Sequence, residues 1–250
     1  MLLGIDHLVV AVESVDGAAE ELERELGLAF TGGGRHEAWG TYNRLAFLGN
    51  TFVELIGVFD RSLVVTGSGA VSRASLEQLE SRGEGLATYA LAVDDVAGDV
   101  AALRAEGSPI GEPVAGTRVR QDGEAVRWST AWADLGPARP PFLIQHERTG
   151  PEWGPAASAA RAAFRHPVGG RVRLTTLELP STDPDALAEA YGKVLGIAFS
   201  EGWRCAIGPQ ALELSPDAPM PVVRLVAEPG SPPLDIVRLG IRWVRAPREA

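Results

Sequence analysis

The sequence predicts an α+β protein made of repeated βαβββ modules whose mixed sheets curl into cups. A strand-helix grammar returns three times within 250 residues, and short strand-like runs follow each of the first two helices. A hydrophobic content of 45% is enough to fill the cores that such modules need.

The first unit opens on the β-branched run 5–12, passes through Glu13 and Ser14, and continues with Val15, Ala18, Ala19, Leu22 and Leu26 at helical spacing before Gly27 stops the helix. Its remaining strands are expected at 28–31, 42–48 and 51–58. The second unit repeats the order: a strand at 86–93, Asp94 and Asp95 as cap, Val96, Val100 and Leu103 as apolar stripe, Gly107 as stop, then strands at 114–120, 125–133 and 142–146. The third has a strand at 174–179, a cap at Asp183 with Pro184 in the first turn, a stripe of Leu187, Tyr191, Val194 and Leu195, and an end at Gly196. Its later strands, at 204–207, 211–214, 222–226 and 236–244, are less regular.

We therefore divide the chain into paired modules over 1–148 (the first 1–60, the second 84–148), a linker over 149–170 and a third, partial β-α-β module over 171–250. The linker is marked by a shift to Pro, Gly and Ala, as in Gly150-Pro151-Glu152-Trp153-Gly154-Pro155. Residues 71–79 suit a short helix joining the first two modules. Gly32-Gly33-Gly34 lacks the lysine and following helix of a phosphate loop and reads as a mobile strand connection.

A formal net charge of -10 opposes binding to nucleic acid or to an anionic membrane. No apolar run approaches the ~18 residues that cross a bilayer. Cys205 is the single cysteine, and the opening Met1-Leu2-Leu3-Gly4-Ile5-Asp6 has no basic region, so a cytoplasmic location is expected. The partner expected is a small molecule, bound by a monomer or a homodimer.

Side chains alternate across a strand, which sends Leu8, Val10 and Val12 toward the helix and leaves His7, with Ile5, Val9 and Ala11, on the opposite, concave face. The same alternation puts Phe52, Glu54 and Ile56 together, and a lone carboxylate among apolar groups needs a partner, a proton or a cation. One imidazole and one carboxylate offer two ligands to a divalent metal, or an acid-base pair. Asn43, between apolar neighbours, suits a turn or a ligand carbonyl. Trp128 and Trp132 share a face with Thr130 as core or as pocket walls. Arg118 suits an acidic ligand, whereas Asp122-Gly123 is a hairpin signal. His36 and His166 occupy loops, and Cys205 has no activating histidine on its strand.

Several of these pieces occur in a characteristic order. The opening Gly4-Ile5-Asp6-His7-Leu8-Val9-Val10, the run from His36 through Trp39-Gly40-Thr41-Tyr42-Asn43 to Leu45, and Phe52-Val53-Glu54-Leu55-Ile56 resemble the first module of glyoxalase-like proteins of the vicinal oxygen chelate superfamily. Arg118-Val119-Arg120-Gln121-Asp122-Gly123, Val126-Arg127-Trp128 and Pro141-Phe142-Leu143-Ile144-Gln145 resemble its second module, and His166-Pro167-Val168-Gly169 the motif heading its C-terminal part. The resemblance implies a divalent metal (Zn, Ni, Fe or Mn) held by histidine and glutamate on first and last module strands, used for lyase, isomerase or ring-cleaving dioxygenase chemistry. His7 and Glu54 stand at two of those places. Thr88 and Gln145, aligned with the other two, depart from the pattern.

Two functions follow as expectations. In one, the first two modules bind a small oxygen-bearing metabolite, with His7 and Glu54 as catalytic groups or metal ligands and Asn43, Trp128, Gln145 and Arg118 contacting the ligand. In the other, a metal-free protein sequesters a small molecule in an aromatic cup in which Trp128, Trp132 and Tyr42 matter more than His7. A cup filled by its own side chains is a third, structural outcome.

Overall fold

The computed structural model describes residues 2–120, 122–133, 141–149 and 152–247. Of the residues invoked above, Met1, Gln121, Gly150 and Pro151 lie outside this set.

The first module is β1 (Leu2–Ala11), α1 (Val15–Leu26), β2 (Gly32–His36), β3 (Thr41–Leu48) and β4 (Thr51–Val58). Two helices, α2 (Arg61–Thr66) and α3 (Ala70–Arg82), lead to the second module: β5 (Gly85–Val93), α4 (Val96–Ala105), β6 (Val114–Arg120), β7 (Ala125–Ala131) and β8 (Phe142–His146). The eight strands close into a barrel in the order β1-β4-β3-β2-β6-β7-β8-β5. The helix ends form as the sequence chemistry dictates: the Ser14 hydroxyl accepts from Gly17 N–H at the start of α1, Gly27 adopts a left-handed φ of 68° at its end, and Asp95 caps α4.

Leu8, Val10 and Val12 face outward and pack with Val15, Ala18, Leu22 and Leu26 of α1 in the main core. A second apolar cluster inside the barrel joins Val9, Ala11, Ile56, Ala90, Phe142 and Ile144, against which Val71 and Leu79 of α3 pack. Helix α3 thus covers part of the barrel interior, a wider role than that of a connector.

The glycine run is a barrel strand. A Cβ on Gly33 would sit 2.2 Å from the Asn43 carbonyl oxygen and one on Gly34 2.2 Å from that of Val119, so side chains would push apart β3 and β6 from the strand between them. Strand β2 is accordingly 32–36 and not the apolar run 28–31, whose Leu28 and Phe30 are spent in the core.

Beyond the barrel come α5 (Pro155–Ala163), β9 (Val172–Pro180), α6 (Pro184–Leu195), β10 (Arg204–Ile207), β11 (Gln210–Ser215), β12 (Val222–Ala227), β13 (Leu234–Arg238) and β14 (Ile241–Pro247). The span 236–244 expected as one strand is a hairpin, turned by Leu239 and Gly240 at φ 51° and 62°. The second sheet runs β10-β11-β9-β12-β14-β13, with β11 parallel to β9, β12 antiparallel to β9 and β14 parallel to β12. This is the barrel order β3-β4-β1-β5-β8-β7 with the same strand senses. Counterparts of β2 and β6, whose pairing closes the barrel, are missing among the described residues, as is one of α4. The span expected as a partial module over 171–250 thus follows the strand order of six of the barrel's eight strands and, among the described residues, forms an open sheet. It packs on the barrel through shared core residues, a Tyr89–Tyr191 hydroxyl contact of 3.3 Å, and Gln210, which bonds Ile5 N–H and the Thr51 hydroxyl. No helix among the described residues is long and apolar enough to cross a membrane.

Candidate functional site

The barrel encloses a cavity of about 630 Å³. Of the four histidines in the chain, His7, His36 and His146 line it, together with Trp39, Trp128, Trp132 and Trp153. Glu54, Asn43, Arg118 and Glu152 supply the other polar groups argued below.

Strand β1 places His7 by means of a bulge. Its pairing with β5 steps from Ile5 opposite Leu91 directly to His7 opposite Ala90, so Asp6 is an extra residue in the ladder. The bulge sends Ile5 into the outer core and lets the neighbours Asp6 and His7 meet, with His7 Nδ1 donating to Asp6 Oδ1 at 2.6 Å. His146 Nε2 donates to the same oxygen at 3.0 Å from the far end of β8. Burial alone would raise the Asp6 pKa, but His146 and His7 hold the carboxyl well below the usual carboxylate range.

Glu54 is 6% exposed and finds two neighbours. Asn43 donates from Nδ2 to Glu54 Oε1 at 2.5 Å and accepts from Gly34 N–H at Oδ1, 2.9 Å away, which fixes the amide's orientation. The second carboxylate oxygen faces His7 Nε2 at 3.5 Å. The His7 ring stacks on Phe52 at a centroid separation of 4.4 Å and meets Phe142 edge-on. Asp6, His7, Glu54 and Asn43 therefore form one chain of polar contacts sealed by aromatic rings.

His36 shares Thr41 with helix α3: its Nδ1 lies 3.0 Å from Thr41 Oγ1, which lies 3.4 Å from Ser72 Oγ. Burial, more than the neighbouring Arg118, drops the His36 pKa to about 4, although Glu54 pulls the other way. The ring is neutral at physiological pH.

Arg118 lies in the wall with its charge already matched. It pairs with both oxygens of Glu152, at 2.7 and 2.8 Å, and donates to the Gly33 carbonyl at 2.7 Å. Glu152 and Trp153 come from the stretch expected as a linker. Trp153 stacks on His146 at 3.8 Å, and the Arg161 guanidinium of α5 lies over the Trp153 ring, 4.3 Å from its centroid, and bonds the Glu152 carbonyl.

Of the residues singled out in the sequence, His7, Glu54, Asn43, Trp128 and Arg118 line the cavity. Gln145 does not. Its Oε1 accepts from Val96 N–H at 3.1 Å and so satisfies the first turn of α4 outside the barrel, while Phe142, Ile144 and His146 point inward. The alignment of β8 with β4 was therefore out of phase by one residue. Tyr42 also faces away, into the outer core. His166 is a structural group: it accepts from Ala29 N–H at 3.1 Å and donates to the Phe47 carbonyl at 2.8 Å. His146, read from the sequence as a chemically suitable neighbour of Gln145 that regular alternation turns to the other face, and His36, read as a loop histidine whose position allows function, both line the cavity; Asp6, Glu152 and Trp153 were not singled out as site residues, and the strongest signal among them was the placing of Asp6 beside His7.

A family model described as a glyoxalase-like domain matches residues 5–195. The chain belongs to this glyoxalase-like family. A hypothetical protein from Staphylococcus aureus superposes with a TM-score of 0.81 at 16% identity, covering 99% of this chain and all (100%) of that one. Methylmalonyl-CoA epimerase from Mycobacterium tuberculosis is similar at a TM-score of 0.44 and 20% identity over 63% of this chain and 92% of its own. The Streptomyces coelicolor epimerase, in complex with 2-nitronate-propionyl-CoA, gives 0.43 and 20% over 58% and 97%. No curated protein sequence matches. The glyoxalase-like fold, with its curved β-rich modules, is the architecture expected from the sequence.

Metal chemistry in a glyoxalase-like barrel needs at least three protein donors around one point. Here two face each other, His7 Nε2 and Glu54 Oε2. The third imidazole, His146, turns its Nε2 to Asp6, and Asn43 presents its NH2 group to Glu54. No group of three or more His, Cys, Asp or Glu side chains among the described residues is placed to hold an ion. This donor set does not fit a tightly held metal.

Proposed function

We propose that the barrel binds a small oxygen-bearing metabolite and that Glu54 and His7 move a proton on it, in an isomerase or lyase reaction. One observation carries this reading: the His7 imidazole is bracketed by Asp6 at 2.6 Å and Glu54 at 3.5 Å in a largely apolar cavity. With Nδ1–H committed to Asp6, the Nε2 lone pair of a neutral ring would face a carboxylate oxygen, so one proton belongs between them. A carbonyl compound entering there meets a carboxylate that accepts the proton from the carbon next to the carbonyl. The electron pair of the broken C–H bond moves to the carbonyl oxygen, which takes a proton from His7 Nε2. Asp6 orients the imidazole and stabilises its protonated form. The Asn43 amide holds Glu54 in place.

The test is solvent exchange. Purified protein in D2O with a panel of small 2-oxo and 2-hydroxy acids and their esters should wash deuterium into the position next to the carbonyl, read by proton NMR, and Glu54→Gln or His7→Asn should abolish it. No exchange above the protein-free rate with any member would sink the proposal.

The aromatic lining favours a second reading, capture of a ligand without turnover, because four tryptophans share the wall. His7→Ala with Glu54→Ala separates the two: a sequestering protein keeps its affinity. Under either reading we place the protein in a reducing cytoplasm with a small-molecule partner, because its one cysteine forms no internal disulfide and its net charge of -10 repels polyanions.

A further inference from the structure

We propose that the protein has a second ligand site, separate from the barrel cavity, in which the Arg161 guanidinium holds the carboxylate of a small organic acid with an apolar body. The site stands independently of the chemistry proposed for His7 and Glu54.

A cavity of about 470 Å³ lies between the entry to β2, the turn after β6 and helix α5. Its charged groups sort into pairs with one cation left over. Arg120 pairs with Asp122 at 2.9 Å. Glu152, in the wall common to both cavities, is spent on Arg118. Arg161 has no ion pair with a carboxylate among the described residues: one terminal nitrogen bonds the Glu152 carbonyl and the other the Ser158 hydroxyl, at 3.1 Å. Its Nε–H is a buried donor without any partner. The residue is 8% exposed, and a guanidinium does not shed its charge at physiological pH. Burial lowers the Arg161 pKa more than the fields of Glu152 and Asp6 raise it, so these two carboxylates compensate the charge incompletely. A desolvated cation with neither a bonded counter-charge nor a full set of acceptors is costly, and an anion beside it removes both deficits.

The rest of the lining sets the body of the guest. Phe47, Phe164, Ala157 and Ala160 give apolar surface around Arg161. The guanidinium lies over the Phe47 and Trp153 rings, 5.1 and 4.3 Å from their centroids, which fixes its plane and leaves hydrogen bonding to its edge. One unbalanced positive charge calls for a monoanion. A polyanion would meet Asp122 and Glu152 in the same lining. An aryl or branched alkyl carboxylate satisfies both conditions, with one oxygen on the Nε–H and its body against the phenylalanines.

The experiment titrates the full chain with two aromatic probes of one shape, 3-phenylpropanoate and the neutral 3-phenylpropanamide, by calorimetry and by tryptophan emission, for which Trp153 beside Arg161 is the reporter. The acid should bind about tenfold more tightly than the amide. Arg161→Gln should bring the acid down to the affinity of the amide. Ala157→Phe adds bulk at a half-buried helix position in the lining and should abolish binding of both probes without touching a charge. Should Arg161→Gln fail to fold, Ala157→Phe and the ratio of acid to amide decide. Trp128→Ala, in the barrel wall, should leave the acid's affinity as it is. Equal binding of the two probes, binding of neither, or an acid affinity unmoved by Arg161→Gln or by Ala157→Phe would overturn the proposal. A loss in Trp128→Ala with none in Ala157→Phe would place the acid in the barrel and overturn it too. Deuterium exchange in the barrel is read separately, so either proposal can fail while the other stands.

Discussion

Asp6 Oδ1 receives two imidazoles at once, His7 Nδ1 at 2.6 Å and His146 Nε2 at 3.0 Å, and so joins the first strand of the barrel to its eighth. Both histidines are oriented by a carboxylate that is itself 4% exposed. Replacing it by alanine leaves two buried rings without their acceptor and should destabilise the fold by about 3 kcal/mol in urea titrations at neutral pH. Asp6 has its pKa depressed below the ordinary 3.8, so its contribution is present above about pH 4 and is lost as pH falls below that. Asp6→Asn should therefore flatten the acid limb of the stability curve. An unchanged limb would show that Asp6 does not carry it.

His36 governs a different pH window. The folded protein lowers its pKa from 6.5 to about 4, chiefly through burial, and so favours the neutral ring. The neutral form gives stability that is fully present above the unfolded value of 6.5 and is lost as pH falls from there toward 4. At 1.36 kcal/mol per unit, the loss across the window is on the order of 3 kcal/mol. His36→Gln keeps a donor and acceptor without the titration. Its urea midpoint should stay level between those two pH values while that of the wild type falls.

The inward positions of His7 and Glu54 were legible because β4 alternates along its length and β1 keeps unbroken register with it from His7 to Ala11, although Ile5, expected beside His7, lies before the bulge and faces the outer core; the three strand-helix units were legible from their caps and stripes. What escaped has physical causes. A bulge adds a residue without any distinctive side chain, so Asp6 read as facing away from His7. Strand β8 is five residues long, too short for periodicity to fix its phase, and Gln145 was placed where His146 stands. Glycines have low strand propensity, yet β2 needs them because neighbouring carbonyls approach so closely. Glu152 and Trp153 sat in a Pro- and Gly-rich stretch whose composition indicates a loop and says nothing of what the loop covers.

Gln145 now has a structural assignment that a single substitution checks. Its side chain supplies an acceptor to the first amide of α4, a job that Ala cannot do, so Gln145→Ala should cost about 1 kcal/mol. Ligand affinity should not change, since the side chain lies outside the barrel. A loss of binding at unchanged stability would return Gln145 to the cavity wall.

The Arg118–Glu152 pair allows the sharpest separation of stability from function. Both side chains are nearly fully buried, 4% and 7% exposed, and the bidentate contact joins β6 to the segment that carries Trp153 over His146. Glu152→Ala leaves a guanidinium buried without its counter-charge and should destabilise by about 3 to 5 kcal/mol, whereas the double change Arg118→Met, Glu152→Leu removes both charges together and should fall within about 1 kcal/mol of wild type. Thermal denaturation of the three proteins gives the comparison. If the pair serves only to close the wall, the double variant should bind the aromatic probes normally. If Arg118 instead swings to a bound acid, anion affinity should fall in the double variant although its fold is intact. A double variant as unstable as the single one would mean that the wall depends on the hydrogen bond to Gly33 more than on the ion pair.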